Sequence, residues 1–196
     1  MGEMIKMVVV LTFLSIVSGG GLSYLERELK PIQENNIMEL VKGPAVRDLL
    51  KGAANDPIAD RFKIQQGDKE QTVFMGVYDG KPKIVAMESE GKGYGGPVGL
   101  IVALDIDTEQ VTGVRVTTHT ETAGLGSRAK DDPAFAAQFK GKSVNSNFKV
   151  TGDGGEINAL SGATITSRAV AAAAGQVIAT YREIKPQLLQ KLQGSK

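Results

Sequence analysis

Residues 7–22 carry no charged side chain, and the apolar run extends to Leu25 before Glu26-Arg27-Glu28 ends it. About 20 consecutive apolar residues cross the hydrocarbon layer of a bilayer as a helix, so residues 1–25 read as an N-terminal transmembrane anchor. A cleaved signal peptide is the alternative, because Ser18-Gly19-Gly20-Gly21 offers small residues for processing. Glu3 beside Lys6, the lack of an A-x-A site and Tyr24 near the far interface favour a retained anchor. Lys6, the only basic residue before the run, points the N-terminus to the cytoplasm and the bulk of the chain to the other side. Residues 26–58 then read as a helical connector. Ile37, Leu40 and Val41 share one face, Val46, Leu49 and Leu50 another, and Gly43-Pro44 breaks or restarts the helix between them.

From about Arg61 the period changes to that of strands. Segments 72–78 and 83–88 flank Asp79-Gly80, a dipeptide suited to a tight hairpin because both positions tolerate positive φ. Residues 98–104 are apolar on both faces, as a central strand covered on two sides must be. Residues 111–117 alternate, with Val114 and Val116 opposed to Arg115 and Thr117. A short helix is expected where Asp131 or Asp132 caps and Pro133 fills the first turn, then a strand at 148–151. A long helix closes the chain at about 167–182, with Val170, Ala174, Val177, Ile178 and Tyr181 as its core stripe. The expected fold class is α+β: an antiparallel sheet with flanking helices over 59–196, behind one transmembrane helix.

Composition narrows the chemistry. The 196 residues include no Cys and a single His, His119, which excludes iron–sulfur clusters, cysteine-ligated zinc and attached c-type haem. No metal ligand set is expected. If the chain moves electrons, an organic cofactor must carry them. Lys+Arg 23 against Asp+Glu 22 gives a net charge of +1, without the basic surplus that nucleic-acid binding requires. No catalytic residue is expected either, since His119 has no partner at motif spacing and reads as a scaffold residue.

Three glycine-bearing segments remain. Gly91-Lys92-Gly93-Tyr94-Gly95-Gly96-Pro97 lacks both nucleotide-phosphate fingerprints and precedes a strand, so alone it is a loop. Thr118-His119-Thr120-Glu121-Thr122-Ala123-Gly124-Leu125-Gly126 follows a strand and mixes polar groups with a bulky Leu, as a pocket wall would. Ser161-Gly162-Ala163-Thr164 opens a helix, where free N–H groups and the helix dipole favour an anion; its other reading is an ordinary Ser/Thr helix cap.

The order of these segments behind an apolar N-terminal run resembles the FMN-binding subunits RnfG and NqrC, and RnfG more closely. The resemblance implies FMN esterified through its phosphate to Thr164, with Ser161, Gly162, Ala163, Thr166 and Ser167 as phosphate-side candidates. It also implies that Glu121, Thr122, Gly124, Leu125 and Gly126, with Tyr94 and Gly95, shape the ring site. The expected role is a relay subunit of an Rnf-type ferredoxin:NAD oxidoreductase coupled to Na+ or H+ translocation. The expected partners are the other membrane subunits, a flavin transferase that uses FAD, and membrane lipid, with no nucleic acid. The expected location is a bacterial or archaeal cytoplasmic membrane, the FMN-binding domain of 59–196 lying outside. An NqrC-like subunit of a Na+-translocating NADH:quinone oxidoreductase, and a tethered binding or scaffold domain without flavin, are the alternatives. Two positions depart from the family pattern: Asn158 stands where Asp is usual three residues before the Ser/Thr, and Ala123 where Pro is usual.

Overall fold

The computed structural model describes residues 2–193 other than Asp68, with the side chains of residues 31–35, of Glu39 and of Gln193 outside that description. Of the expected segments 1–25, 26–58 and 59–196, Met1, Asp68 and residues 194–196 fall outside it as well. The chain divides into two units, Met1–Val41 and Lys42–Lys196.

The first unit is helix α1, Gly2–Ile37, continued by the start of a π-helical turn, Met38–Lys42. Its stretch Gly2–Lys30 is long and apolar enough to cross a membrane, and Val8, Leu11, Phe13, Leu14, Ile16 and Val17 are all exposed. A helix that is apolar all round and covered by no protein fits a lipid environment.

The second unit is built on a five-stranded antiparallel meander in the order β1-β2-β3-β4-β5, with β1 Phe62–Gln66, β2 Lys69–Tyr78, β3 Lys81–Lys92, β4 Pro97–Asp105 and β5 Gln110–Val116. The β2–β3 hairpin turns on Asp79 (φ 51°) and Gly80 (φ 74°), two positive dihedrals in succession as an inverse-twist turn needs. Every residue of β4 after Pro97 is buried. Val98, Leu100, Val102 and Leu104 join one core with Val85 and Met87 of β3, while Phe74, Ala86, Ile101 and Ala103 are buried outside it. Helix α2, Gly43–Leu49, adjoins β4 and β5 and brings Val46 to this second side, with Leu50 just after it. Strand β1 has no counterpart among the sequence expectations for individual strands.

The first core is closed by α5, Thr164–Gln193, whose Val170, Ala174, Val177, Ile178 and Tyr181 are all buried in it. This helix starts three residues earlier than expected and continues through Pro186 well past residue 182. Ahead of it lie α3, Arg128–Asp131, and α4, Pro133–Ala137, where the Asp132 side chain caps by accepting from Ala134 N (3.0 Å). The strand expected at 148–151 does not form. Val150 makes one isolated bridge to Ile157, and Thr151–Asp153 turns as a 3-10 helix, because Gly152 and Gly154 (φ 77°) bend the chain before a ladder can extend.

Candidate functional site

The start of α5 is set by a glycine and two buried hydroxyls. Gly162 takes φ 76°, and Ala163 N then donates to Leu160 O (3.0 Å). The Ala163 carbonyl accepts from Ser167 N (2.9 Å), which makes Ala163 the N-cap. Ser167 is fully buried; its hydroxyl donates to Ala163 O and accepts from Leu160 N, both at 2.9 Å. Thr166 is buried as well, and its hydroxyl donates to Glu121 Oε2. The ordinary cap anticipated as an alternative is therefore not made: Ala163 has no side-chain oxygen, so the first-turn N–H groups have no side-chain acceptor from the N-cap. Thr164, the first helical residue, is exposed.

Thr164 lies in the wall of an open cleft of about 500 Å³. Its apolar rim consists of Tyr94, Leu125 and Ile165, which are 74%, 48% and 47% exposed although the protein has a core to hold such side chains. Glu121, Thr122 and Thr166 supply the polar wall, and Gly126, Gly162 and Ala163 keep the space open. Three stretches far apart in sequence thus meet here: the β3–β4 loop, the loop after β5, and the head of α5. Ile165 is the wall residue that sequence reasoning missed; a bulky side chain on the exposed side of a first helical turn was the available signal.

Four predicted residues lie off the wall. Ser161 is exposed but does not line the cleft, and Ser167 is fully buried. Gly124 (φ 75°) donates its N–H to Ser127 Oγ (3.0 Å), and the Gly95 N–H donates to Glu121 Oε1 (2.8 Å). Glu121 is buried and accepts from both the Gly95 N–H and the Thr166 hydroxyl. His119 Nδ1 accepts from Glu121 N (3.3 Å), a scaffold contact.

Outside the cleft, Arg168 grips Asp153 with two bonds of 2.7 and 2.8 Å. The Asp153 carboxyl is held below its ordinary range by the Arg168 hydrogen bond, and the Arg168 guanidinium is raised by the same contact. Glu156 is likewise lowered, first by the Lys142 hydrogen bond and then by the Asn147 N–H. Asn158 is fixed through its backbone: its N–H donates to Gln138 Oε1 (2.7 Å) and its carbonyl accepts from Gln138 Nε2 (3.2 Å). A second cleft of about 470 Å³, beside β5 and α4, contains no predicted site residue. No group of three or more His, Asp or Glu suited to a metal exists among the described residues.

The family model described as "FMN-binding domain" matches residues 93–179, the span that begins with the β3–β4 loop and includes Thr164. By this match the part of the chain that contains the cleft is an FMN-binding domain. The chain is 34% identical over 146 residues to the G subunit of the ion-translocating oxidoreductase complex of Cereibacter sphaeroides, covering 70% of this chain and 65% of that protein. It is 31% identical over 172 residues to the corresponding G subunit of Photorhabdus laumondii subsp. laumondii, covering 85% and 80%. The crystal structure of Shewanella oneidensis NqrC has the same fold, at 26% identity and a TM-score of 0.53 over 70% of this chain and 72% of that one. The chain belongs to the family of G subunits of ion-translocating oxidoreductase complexes, although the match spans just under two thirds of the length of the Cereibacter relative.

Proposed function

We propose that this chain is a membrane-anchored flavoprotein subunit of an Rnf-type ferredoxin:NAD oxidoreductase, relaying electrons through one FMN esterified by its phosphate to Thr164. One observation carries the attachment. Of the four hydroxyls in residues 161–167, Thr166 and Ser167 are buried and hydrogen-bonded and Ser161 is off the cleft, whereas Thr164 is exposed in its wall at a helix start with no side-chain cap.

The residues present fit the group. A phosphodiester on Thr164 would supply the oxygens that Ala163 cannot, beside first-turn N–H groups whose dipole favours negative charge. Tyr94, Leu125 and Ile165 offer an apolar surface that a flat ring system would cover. FMN brings one- and two-electron chemistry, so the chain needs no general base of its own. Attachment would need a transferase using FAD: the Thr164 hydroxyl would give up its proton to base and bond to the FMN phosphorus as the phosphoanhydride bond broke and AMP left. The anchor would hold the FMN-binding domain of 59–196 on the outer face of a bacterial or archaeal cytoplasmic membrane, among lipid and the other complex subunits, while the complex moves Na+ or H+. The identity to G subunits favours this reading over an NqrC-like one, and the missing side-chain cap counts against a scaffold domain without flavin.

Thr164→Val is nearly isosteric and should leave the domain folded by far-UV circular dichroism. The wild-type chain should show in-gel flavin fluorescence after denaturation and one mass increment on the peptide containing Thr164; the variant should show neither. A variant that still fluoresces would place the ester elsewhere.

A further inference from the structure

Glu121 is a buried carboxylate, and no lysine, arginine or histidine forms a salt bridge with it among the described residues. Both its oxygens are used. Oε1 accepts the Gly95 N–H at 2.8 Å, and Oε2 accepts the Thr166 hydroxyl. A buried carboxyl group held only by neutral donors is a costly choice for a core position, and a hydrophobic or amide side chain would fill the same space at lower cost.

The surroundings are shaped to it. A Cβ at Gly93 would stand 2.5 Å from Glu121 Oε1, and one at Gly126 would stand 2.6 Å from Oε2 and 2.8 Å from Thr166 Oγ1. Neither glycine has a positive φ, so both are required by space and not by dihedral. Gly95 is confined in the same way, 2.3 Å from Thr120 O, while Thr120 Oγ1 donates to Gly95 O at 2.9 Å. The carboxylate therefore joins the loop bearing Tyr94 to the helical turn bearing Thr164, from a residue that itself lines the cleft. Tyr94 precedes Gly95 directly, and Thr166 follows Thr164 by two.

We propose that Glu121 is a positioning residue of the flavin site: its two hydrogen bonds latch the Tyr94 loop to the first turn of α5 and so set the width of the cleft that receives the ring system. The inference rests on the flavin reading above. Two hydrogen bonds to one side chain fix three backbone segments at once, those of Gly95, Glu121 and Thr166.

The test uses the full-length chain in detergent, matured with a flavin transferase, comparing wild type with Glu121→Gln, Glu121→Ala and Thr166→Val. The readouts are covalent flavin per chain, visible-region circular dichroism of the bound flavin, and far-UV dichroism for folding. Glu121→Gln keeps both bonds, since its amide oxygen can accept from Gly95 N while the Thr166 hydroxyl rotates to accept from the amide nitrogen. It should load and report a near-wild-type ring signal. Glu121→Ala loses both bonds and should lose at least roughly tenfold in loading or in visible dichroism while folded, a factor of ten being about the scale of a single lost hydrogen bond. Thr166→Val should fall between them and decides the matter if the Ala variant does not fold.

A folded Glu121→Ala chain, or a Thr166→Val chain, with wild-type loading and an unchanged visible spectrum overturns the latch and leaves the attachment at Thr164 standing. A Gln variant as impaired as the Ala variant also overturns it, because charge and not geometry would then be at work. A wild-type chain that carries no covalent flavin overturns both.

Discussion

Gly162 holds φ at 76°, and a Cβ there would lie 3.2 Å from Leu125 Cδ2 on the opposite wall of the cleft. A side chain in the left-handed region costs about 1–2 kcal/mol, so Gly162→Ala should lower the unfolding free energy of the unflavinylated domain by about that much, measured by denaturant titration. If Thr164 carries the flavin as proposed, the same substitution should reduce covalent flavin loading, because it presses on the rim beside the Thr164 hydroxyl. At this scale the sequence was partly legible. A glycine in Ser-Gly-Ala-Thr signals a special backbone, and Leu125 between two glycines signals an exposed apolar side chain. Ala163 as a cap without an oxygen was not legible, since Ser and Thr on either side are the expected capping residues. The Glu121 latch was hidden for another reason: its partners are 26 and 45 residues away, and no local pattern reports such a pairing.

Helix α5 illustrates what patterning does and does not specify in an element. Its buried stripe follows from helical spacing, but its start is displaced when Thr164 to Thr166 are taken as approach and not as helix; Ser167, the expected first residue, is already one turn in. Tyr181 on this helix is fully buried, and its hydroxyl has no hydrogen-bond partner among the described residues. Burial first, and then the charges of Glu109, Asp105 and Asp107, push that hydroxyl up to about 12. Leaving a buried donor unpaired costs about 1–3 kcal/mol, so Tyr181→Phe should raise the stability of the domain by about 1 kcal/mol or more, read from the shift of the denaturation midpoint at constant m-value. The β2–β3 hairpin was legible because Asp79 and Gly80 carry the turn in their own dihedral preferences. Residues 148–151 were not, because a four-residue apolar alternation also fits a segment pinned by a single bridge.

For the whole molecule, the apolar core among the described residues begins at Val46 and lies within Lys42–Lys196, while the long helix before it contributes no buried side chain among those described. Residues 42–196 expressed alone should therefore stay in solution without detergent, unfold cooperatively, and still accept flavin from a transferase. Aggregation of that fragment, or a broad non-cooperative melt, would contradict the division. The cleft itself is assembled from the β3–β4 loop, the loop after β5 and the head of the last helix, with Glu121 hydrogen-bonded to both of the others. No nascent or truncated chain that stops short of this closing helix contains the pocket, however well its sheet has formed. Modification at Thr164 would consequently act as a proofreading stamp: the enzyme that adds the pigment need not recognise misfolded copies, because only finished ones offer it a place to write.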